Sequence, residues 1–435
     1  MSPRTGVKIS KPSSSGRARK VKVAVFGARR GRGLALTLAA DPRAELVAIC
    51  DMNTTALAAA KAGADKAGAR VTAYTDSDAF FNHDFDAVVL ANYANEHAPF
   101  AVRALLSGRH VLSEVLAVAT LGEAVPLVEA VESSKKIYAY AENYCYFRST
   151  QEMRRLYRRG DLGEFQHGEG EYVHNCEPIW PEIAYGEPRH WRNVMYSTFY
   201  CTHSLGPLIH ITGTRPTRVV GFETPPTGAS FGALGGTSAM ELCQMSNGAT
   251  VKSLHAGHLK REPHSIWYAV YGTRGMAESD RWGDRFNAVN LYLEGDKGTP
   301  YARHYVPSWP GVADDALRAA GHGGGDFFTL HYFLEKILGR PAGSESIDVY
   351  TALDMTTPGI LAYKSILDGN RPYEVPDFRK KSVRAKYRGD DFHVDPMAPG
   401  ASPPSCSFGV PKIPKSVYAG QRKLYAQYLK AAPRP

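Results

Sequence analysis

The chain has 435 residues, 43% hydrophobic and 22% charged, ordinary for a soluble globular protein of two or three domains. Its net charge of +9 sits at the two ends: residues 1–22 carry seven Lys/Arg and no acid, and residues 376–435 carry twelve Lys/Arg and four acids, which leaves the body at −6 and argues against nucleic-acid binding. The six cysteines (Cys50, Cys145, Cys176, Cys201, Cys243, Cys406) form no C-x-x-C pair, and no apolar run reaches about 18 residues, so a zinc site, a disulfide framework and a membrane span are not expected and a reducing, cytoplasmic setting is.

Residues 1–20 are basic, rich in Ser and Pro and lack an apolar h-region, so they read as a disordered tail. Val21–Phe26 is a β-branched strand. A glycine-rich turn follows, then a helix over Leu34–Ala40 stopped by Asp41-Pro42, then a strand over Glu45–Cys50 that ends at Asp51. A helix (Thr55–Ala67), a strand (Val71–Thr75) and a buried strand (Ala87–Ala91) come next. "HAPFAVRALLSG" is a helix, "HVLSE" a strand, "GEAVPLVEAVESSK" a helix and "IYAYAEN" a strand. This alternation predicts a doubly wound parallel sheet over 21–142. Beyond it, a helix (Ser149–Arg159) leads into long strand-like segments punctuated by turns such as Asn247-Gly248, with helices at Asp326–Leu338 and Thr357–Asp368. Residues 143–370 therefore read as an α+β domain with a largely antiparallel open sheet. Residues 371–435 are Pro-rich and basic, an arm wrapping this subunit or a neighbour, with one short amphipathic segment, "SVYAGQRKLYAQYLKAA".

"GARRGRG" (27–33) matches G-x-G-x-x-G in part. Gly27 is in place, Arg29 stands at the second glycine, and Gly31 and Gly33 bracket Arg32 at the third. Its setting between a strand and a helix, with Asp51 closing the next strand, predicts a dinucleotide site. Pyrophosphate would approach amides at the helix N-terminus, with Arg29 and Arg30 available to pair with it. Asp51 would take the adenosine ribose hydroxyls and repel a 2′-phosphate, which favours NAD over NADP.

By residue 114 the chain resembles the Gfo/Idh/MocA oxidoreductases, through "VAVFGARRGRG", "LVAICD", "ANYANEHAPFAVRALLSGRHVLSEVLAVA" and "AENYCYF". The resemblance implies an NAD(P)-binding Rossmann domain and a second domain whose open sheet faces the nicotinamide and supports a homodimer or homotetramer. Where members of that superfamily usually carry E-K-P with a catalytic lysine, this chain has Glu114-Val115-Leu116. The NAD-dependent glycosidases of glycoside hydrolase family 109 lack that lysine too and carry E-V-P. Three later blocks resemble that branch: "AENYCYFRSTQEMRRLYRRGDLGEFQHGEGEYVHN", "HWRNVMYSTFYCTHSLGPLIHITG" and "GHGGGDF". Leu116 and Cys201 replace prolines of its pattern, and Ser204 a glycine.

What the resemblance implies is redox-neutral glycoside cleavage. NAD-dependent glycosidases do not use the usual carboxylate pair. Transient oxidation at C3 of a sugar acidifies the C2 proton, the C1 substituent is eliminated, water adds, and the hydride returns. The match to G-x-Y-x-H makes Tyr172 a proton-transfer candidate, with NAD⁺ nearby to lower its pKa, and "YCTH" makes His203 an acid/base candidate. Glu142, Arg192, Tyr200, His322 and Asp326 are expected to meet the sugar, although helix capping competes for Asp326. Gly27, Arg29, Arg30, Gly31, Asp51, Asn92, His97, Glu114 and Asn143 are expected around the cofactor. No metal is expected, because the histidines lack ligand spacing. A net NAD-dependent sugar dehydrogenase is the alternative, and a non-catalytic NAD-binding sensor a third reading. The expected partner is a small carbohydrate or glycoside, not a nucleic acid or a membrane.

Overall fold

The computed structural model describes residues 19–284, 286–296, 303–308, 320–395 and 403–431; all but the last two residues of the basic N-terminal tail lie outside them. The first sheet holds β1 (Val21–Phe26), β2 (Ala44–Cys50), β3 (Thr72–Tyr74), β4 (Ala87–Leu90), β5 (His110–Ser113) and β6 (Tyr138–Tyr140). They pair in the order β3-β2-β1-β4-β5-β6, parallel throughout. This is the dinucleotide-binding order, with a crevice where the chain reverses between β1 and β4. Helices α1 (Ala28–Ala40), α2 (Thr54–Lys66), α3 (Ser77–Phe81), α4 (His97–Leu106) and α5 (Leu121–Ser134) connect the strands. Sidedness follows from strand alternation. Val21, Val23 and Val25 face Leu34 and Leu38 on one side, whereas Ala24 and Phe26 face Phe80 and Phe81 on the other.

"GARRGRG" is not the extended turn that its glycines suggested. Gly27 makes the turn alone, at φ +102, and α1 begins at Ala28. A Cβ on Gly27 would lie 2.2 Å from the Ala91 carbonyl oxygen, and one on Gly31 would lie 2.5 Å from Val25 Cγ1. Gly31 therefore provides the close helix–strand approach of the third motif glycine, while nothing lies within 4 Å of a Cβ on Gly33.

The second sheet contains β7 (Phe165–Val173), β8 (Pro216–Glu223), β9 (Ser238–Met245), β10 (Thr250–Ala256), β11 (Ser265–Gly272), β12 (Gly275–Ser279), β13 (Val289–Leu293), β14 (Arg303–Tyr305) and β15 (Tyr373–Glu374). Their order is β14-β13-β12-β11-β7-β10-β9-β8-β15, and only β7–β10 is a parallel pair. Helices α6 (Arg148–Arg158), α8 (Thr202–Thr212) and α10 (Val349–Leu367) cover one face; the short α7 (Trp180–Ala184) precedes α8. The other face is open and carries Phe222, Leu242 and Tyr292 exposed.

Two features depart from the sequence expectations. Helix α9 (Gly325–Ile337) packs back on the first domain, where Leu330, Phe333 and Leu334 join the core beside α1. Helix α10 starts eight residues before the expected Thr357, because Asp348 caps it by accepting from Thr351 N and Pro358 sits inside it rather than at its start. The C-terminal arm folds onto its own subunit: β15 extends the second sheet, α11 (Lys381–Tyr387) lies on α5, and α12 (Lys415–Ala431) lies on α7.

Candidate active site

A cavity of about 260 Å³ opens where the C-terminal ends of β4 and β5 face β7 and α8. Arg29, Arg30, Asn92, His97, Glu114 and Val115 line it from the first domain, with Asn143 at the junction to the second. Tyr144, Tyr172, His174, Cys176, Ile179, Ile183, Arg192, Tyr200, His203 and His322 line it from the second domain.

His203 stands in the first turn of α8. Its Nδ1 donates to Glu142 Oε1 at 2.9 Å, and the other carboxylate oxygen of Glu142 accepts from Thr202 Oγ1 at 2.8 Å. Glu142 is fully buried and its carboxylate accepts at the N-terminus of α8, where negative charge is favoured. It was expected to meet substrate. The structure instead places it behind His203, because the end of β6 aims its side chain at α8 rather than into the cavity. An ionised carboxylate only accepts, so Nδ1 holds the proton and Nε2 is left as the proton acceptor. The Tyr144 ring stacks on His203 at 4.4 Å, with Tyr172 at 5.0 Å and Tyr200 at 5.6 Å. Burial pushes the Tyr172 phenol well above its ordinary pKa, and Arg192 pulls the other way. Arg192 donates to the Tyr200 hydroxyl at 2.9 Å and lies over the Trp191 ring at 4.6 Å, so its head is fixed at the cavity edge.

A charged cluster around the buried Asp326 forms part of the cavity wall. Arg30 donates to both oxygens of Asp326, at 2.8 and 2.7 Å, and pairs with Glu114 at 2.6 Å. Asn143 Nδ2 and His322 Nδ1 also donate to Asp326, at 2.7 and 2.9 Å. Burial disfavours the charge on Asp326, yet Arg30 and His322 outweigh it and hold the carboxyl well below its ordinary range. On Glu114 burial prevails over Arg30, and its pKa is raised. The roles expected of two residues change accordingly. The Arg30 guanidinium is committed to carboxylates rather than held out for phosphate. Asp326, with only 2% of its surface exposed, positions Arg30, Asn143 and His322 instead of touching a sugar.

The first-domain wall suits a dinucleotide. Gly27, at φ +102, lets the turn between β1 and α1 pack directly on the Ala91–Asn92 backbone at the crevice. Asn92 Oδ1, His97 Nε2 and Asn143 Oδ1 are buried without a hydrogen-bond partner within the protein. His97 donates through Nδ1 to the Leu116 carbonyl at 2.9 Å, and burial takes its pKa down to about 4, so its bare Nε2 is an acceptor at neutral pH. Asp51 accepts from Ala28 N at 2.6 Å and from Asn53 N at 2.8 Å, which places its carboxylate at the start of α1. Val115, where a lysine was expected, is an apolar patch of the cavity wall, 6% exposed.

Residues 21–142 match the oxidoreductase family's NAD-binding Rossmann fold, and residues 232–385 match the glycosyl hydrolase 109 C-terminal domain. Its first domain is that of the Gfo/Idh/MocA oxidoreductase superfamily. Within that superfamily the chain resembles the glycoside hydrolase family 109 branch. A glycosyl hydrolase family 109 protein of Streptomyces coelicolor is 28% identical over 416 residues, 87% of each chain. One from Stenotrophomonas maltophilia is 28% identical over 83% of this chain and 90% of its own. Among solved structures, an inositol dehydrogenase homolog of Azotobacter vinelandii complexed with NAD⁺ shares the fold at a TM-score of 0.66 and 18% identity, covering 84% of this chain and all of its own. Levoglucosan dehydrogenase with NADH and L-sorbose gives a TM-score of 0.66 at 17% identity, over 82% of this chain and all of its own.

The cavity brings together Tyr172, His203, Arg192, Tyr200 and His322, all of them candidates from the sequence. Sequence reading missed Tyr144, whose ring covers His203, although that residue lies inside the matching "ENYCY" block. It also missed Cys176, Ile179 and Ile183, which enter from a single 3-10 turn and the five-residue α7, both too short to give a periodic signal.

Proposed function

We propose that the protein is an NAD-dependent glycosidase that cleaves a small glycoside through transient oxidation at C3, with no net redox. When bound, NAD supplies a hydride acceptor and then returns the hydride. The chain's own residues handle protons and position the sugar. His203, oriented by Glu142, is the base at Nε2. Tyr172, kept protonated by burial, donates to developing negative charge on oxygen, and Arg192 with Tyr200 holds sugar oxygens at the cavity edge. Around the dinucleotide stand Gly27, Asp51, Asn92, His97, Glu114 and Asn143. The observation that carries this reading is the His203–Glu142 pair, enclosed by three tyrosines opposite an apolar Val115. Proton transfer thus rests on the second domain.

The test is a panel of aryl glycosides in D₂O. The expected result is aglycone release with deuterium entering at C2 and no accumulation of NADH. The dehydrogenase names of the fold neighbours favour a second reading, net sugar oxidation. Stoichiometric NADH from free sugars, without aglycone release, would establish it instead. The open sheet face, with Phe222, Leu242 and Tyr292 exposed, supports self-association as a dimer or tetramer. The scattered free thiols fit a cytoplasmic setting. Among the described residues no helix is long and apolar enough to cross a membrane.

A further inference from the structure

The segment that carries α7 lies against the cofactor side of the first domain at two points. Arg29, in the first turn of α1, pairs with Glu182 at 3.9 Å and lies over the Tyr185 ring at 5.4 Å. Tyr93, just past β4, meets His190 edge-on at 5.1 Å. Ile179 and Ile183 of the same segment line the cavity. The segment therefore bridges from the crevice between β1 and β4 to the rim of the His203 site.

Its tip is held in an unfavoured conformation. Tyr185 has φ +57, left-handed for a residue with a side chain, and Gly186 follows at φ +70. Such a backbone persists where its surroundings fix it, and here they do so from outside. Tyr425 of α12 packs on the Tyr185 ring at 4.9 Å, with His190 at 5.6 Å. Arg422 donates to the Gly186 carbonyl at 2.8 Å. A Cβ on Gly186 would lie 2.5 Å from Arg422 N and 2.7 Å from Tyr418 O, so the helix seats on bare backbone. Tyr418 and Gln421, each 8% exposed, fill the seam.

We propose that Tyr185 is a positioning residue of the dinucleotide site, held over Arg29 by α12, and that the C-terminal helix thereby sets the rate at which the cofactor leaves. This rests on the reading of the crevice as an NAD site and does not depend on which sugar is cleaved. Tyr425→Ala would remove the outer support while touching no cavity residue. Leu424→Ala, on the exposed side of α12, is the control.

The experiment loads full-length protein with NADH and follows the loss of bound-nucleotide fluorescence on addition of excess NAD. Hydrogen exchange over 177–190 is measured in parallel. The expected result for Tyr425→Ala is faster exchange in that segment and a dissociation rate raised about tenfold or more, with Leu424→Ala like wild type. Faster exchange with a dissociation rate within about twofold of wild type would overturn the proposal. So would unchanged exchange, because α12 would then not hold the segment. A wild-type protein that takes up no NADH would overturn the cofactor reading itself.

Discussion

His203 and Glu142 meet across the two sheets: the imidazole Nδ1 at the start of α8 donates over 2.9 Å to a fully buried carboxylate at the end of β6. The carboxylate also accepts from Thr202 Oγ1 and Tyr144 N, so three donors fix it. Glu142→Gln keeps the shape but lets an amide nitrogen face Nδ1, which favours the wrong tautomer. We expect kcat on an aryl glycoside to fall about 100-fold with KM little changed, and His203→Ala to fall at least as far. Steady-state kinetics check both, and an unchanged kcat in Glu142→Gln would remove His203 from the role of base.

Asp326 joins the two halves of the chain in a different way. Four N–H groups from Arg30, Asn143 and His322 converge on it. Asp326→Asn leaves Arg30 with only Glu114, and breaking a buried pair of this kind costs on the order of 3 kcal/mol. The pH dependence has a definite sign. The folded-state pKa is depressed, so the stabilisation is present above the ordinary carboxyl value of about 4 and is lost as pH falls through the lower folded value. Denaturant melts between pH 2 and pH 5, as an approximate window, should be steeper in pH for wild type than for Asp326→Asn.

Glu241 behaves oppositely. It is 1% exposed, sits opposite Ser253 on β10, and burial raises its pKa to about 8. In the unfolded chain this carboxyl ionises near 4.5, whereas the folded protein keeps the proton until about 8. Unfolding is therefore favoured progressively as pH rises between those values, and the loss levels off above them. Glu241→Gln should remove that slope and stabilise the protein at pH 8 by on the order of 3 kcal/mol. Thermal melts at pH 5 and pH 8 test it. The two proteins should differ little at pH 5 and clearly at pH 8.

What the sequence made legible was local. Strand alternation, the position of Gly27 before a helix and Asp51 at a strand end gave the parallel sheet and its crevice, because each signal spans a few residues. "GEYVH" put Tyr172 on one face of β7 by alternation alone. The contacts that were not legible are long-range pairings. Nothing near Arg30 announces Asp326, because their meeting depends on α9 packing back on the first domain. Nothing near Tyr185 announces Tyr425. Glu142 was visible as a carboxylate at a strand end, but the donors that take it, Thr202 and His203, come from α8, which the strand does not encode.

Val115 gives the sharpest test of how the site divides its labour. Its side chain is 6% exposed and lies in the cavity wall beside Glu114, whose carboxylate is already paired with Arg30. A lysine there would add an ammonium to a wall that already holds the Arg29 and Arg30 guanidiniums, and Glu114, the carboxylate at that point, is already paired. Burial would oppose its charge, as it does for any buried lysine. If His203 and Tyr172 move the protons, Val115→Lys supplies nothing that the reaction lacks and narrows the cavity. We expect lower stability and glycoside turnover reduced about tenfold or more, with no gain in NADH production from free sugars. A rise in glycoside turnover would mean that the first domain still needs a base at this position, and the assignment of proton transfer to the second domain would fall with it.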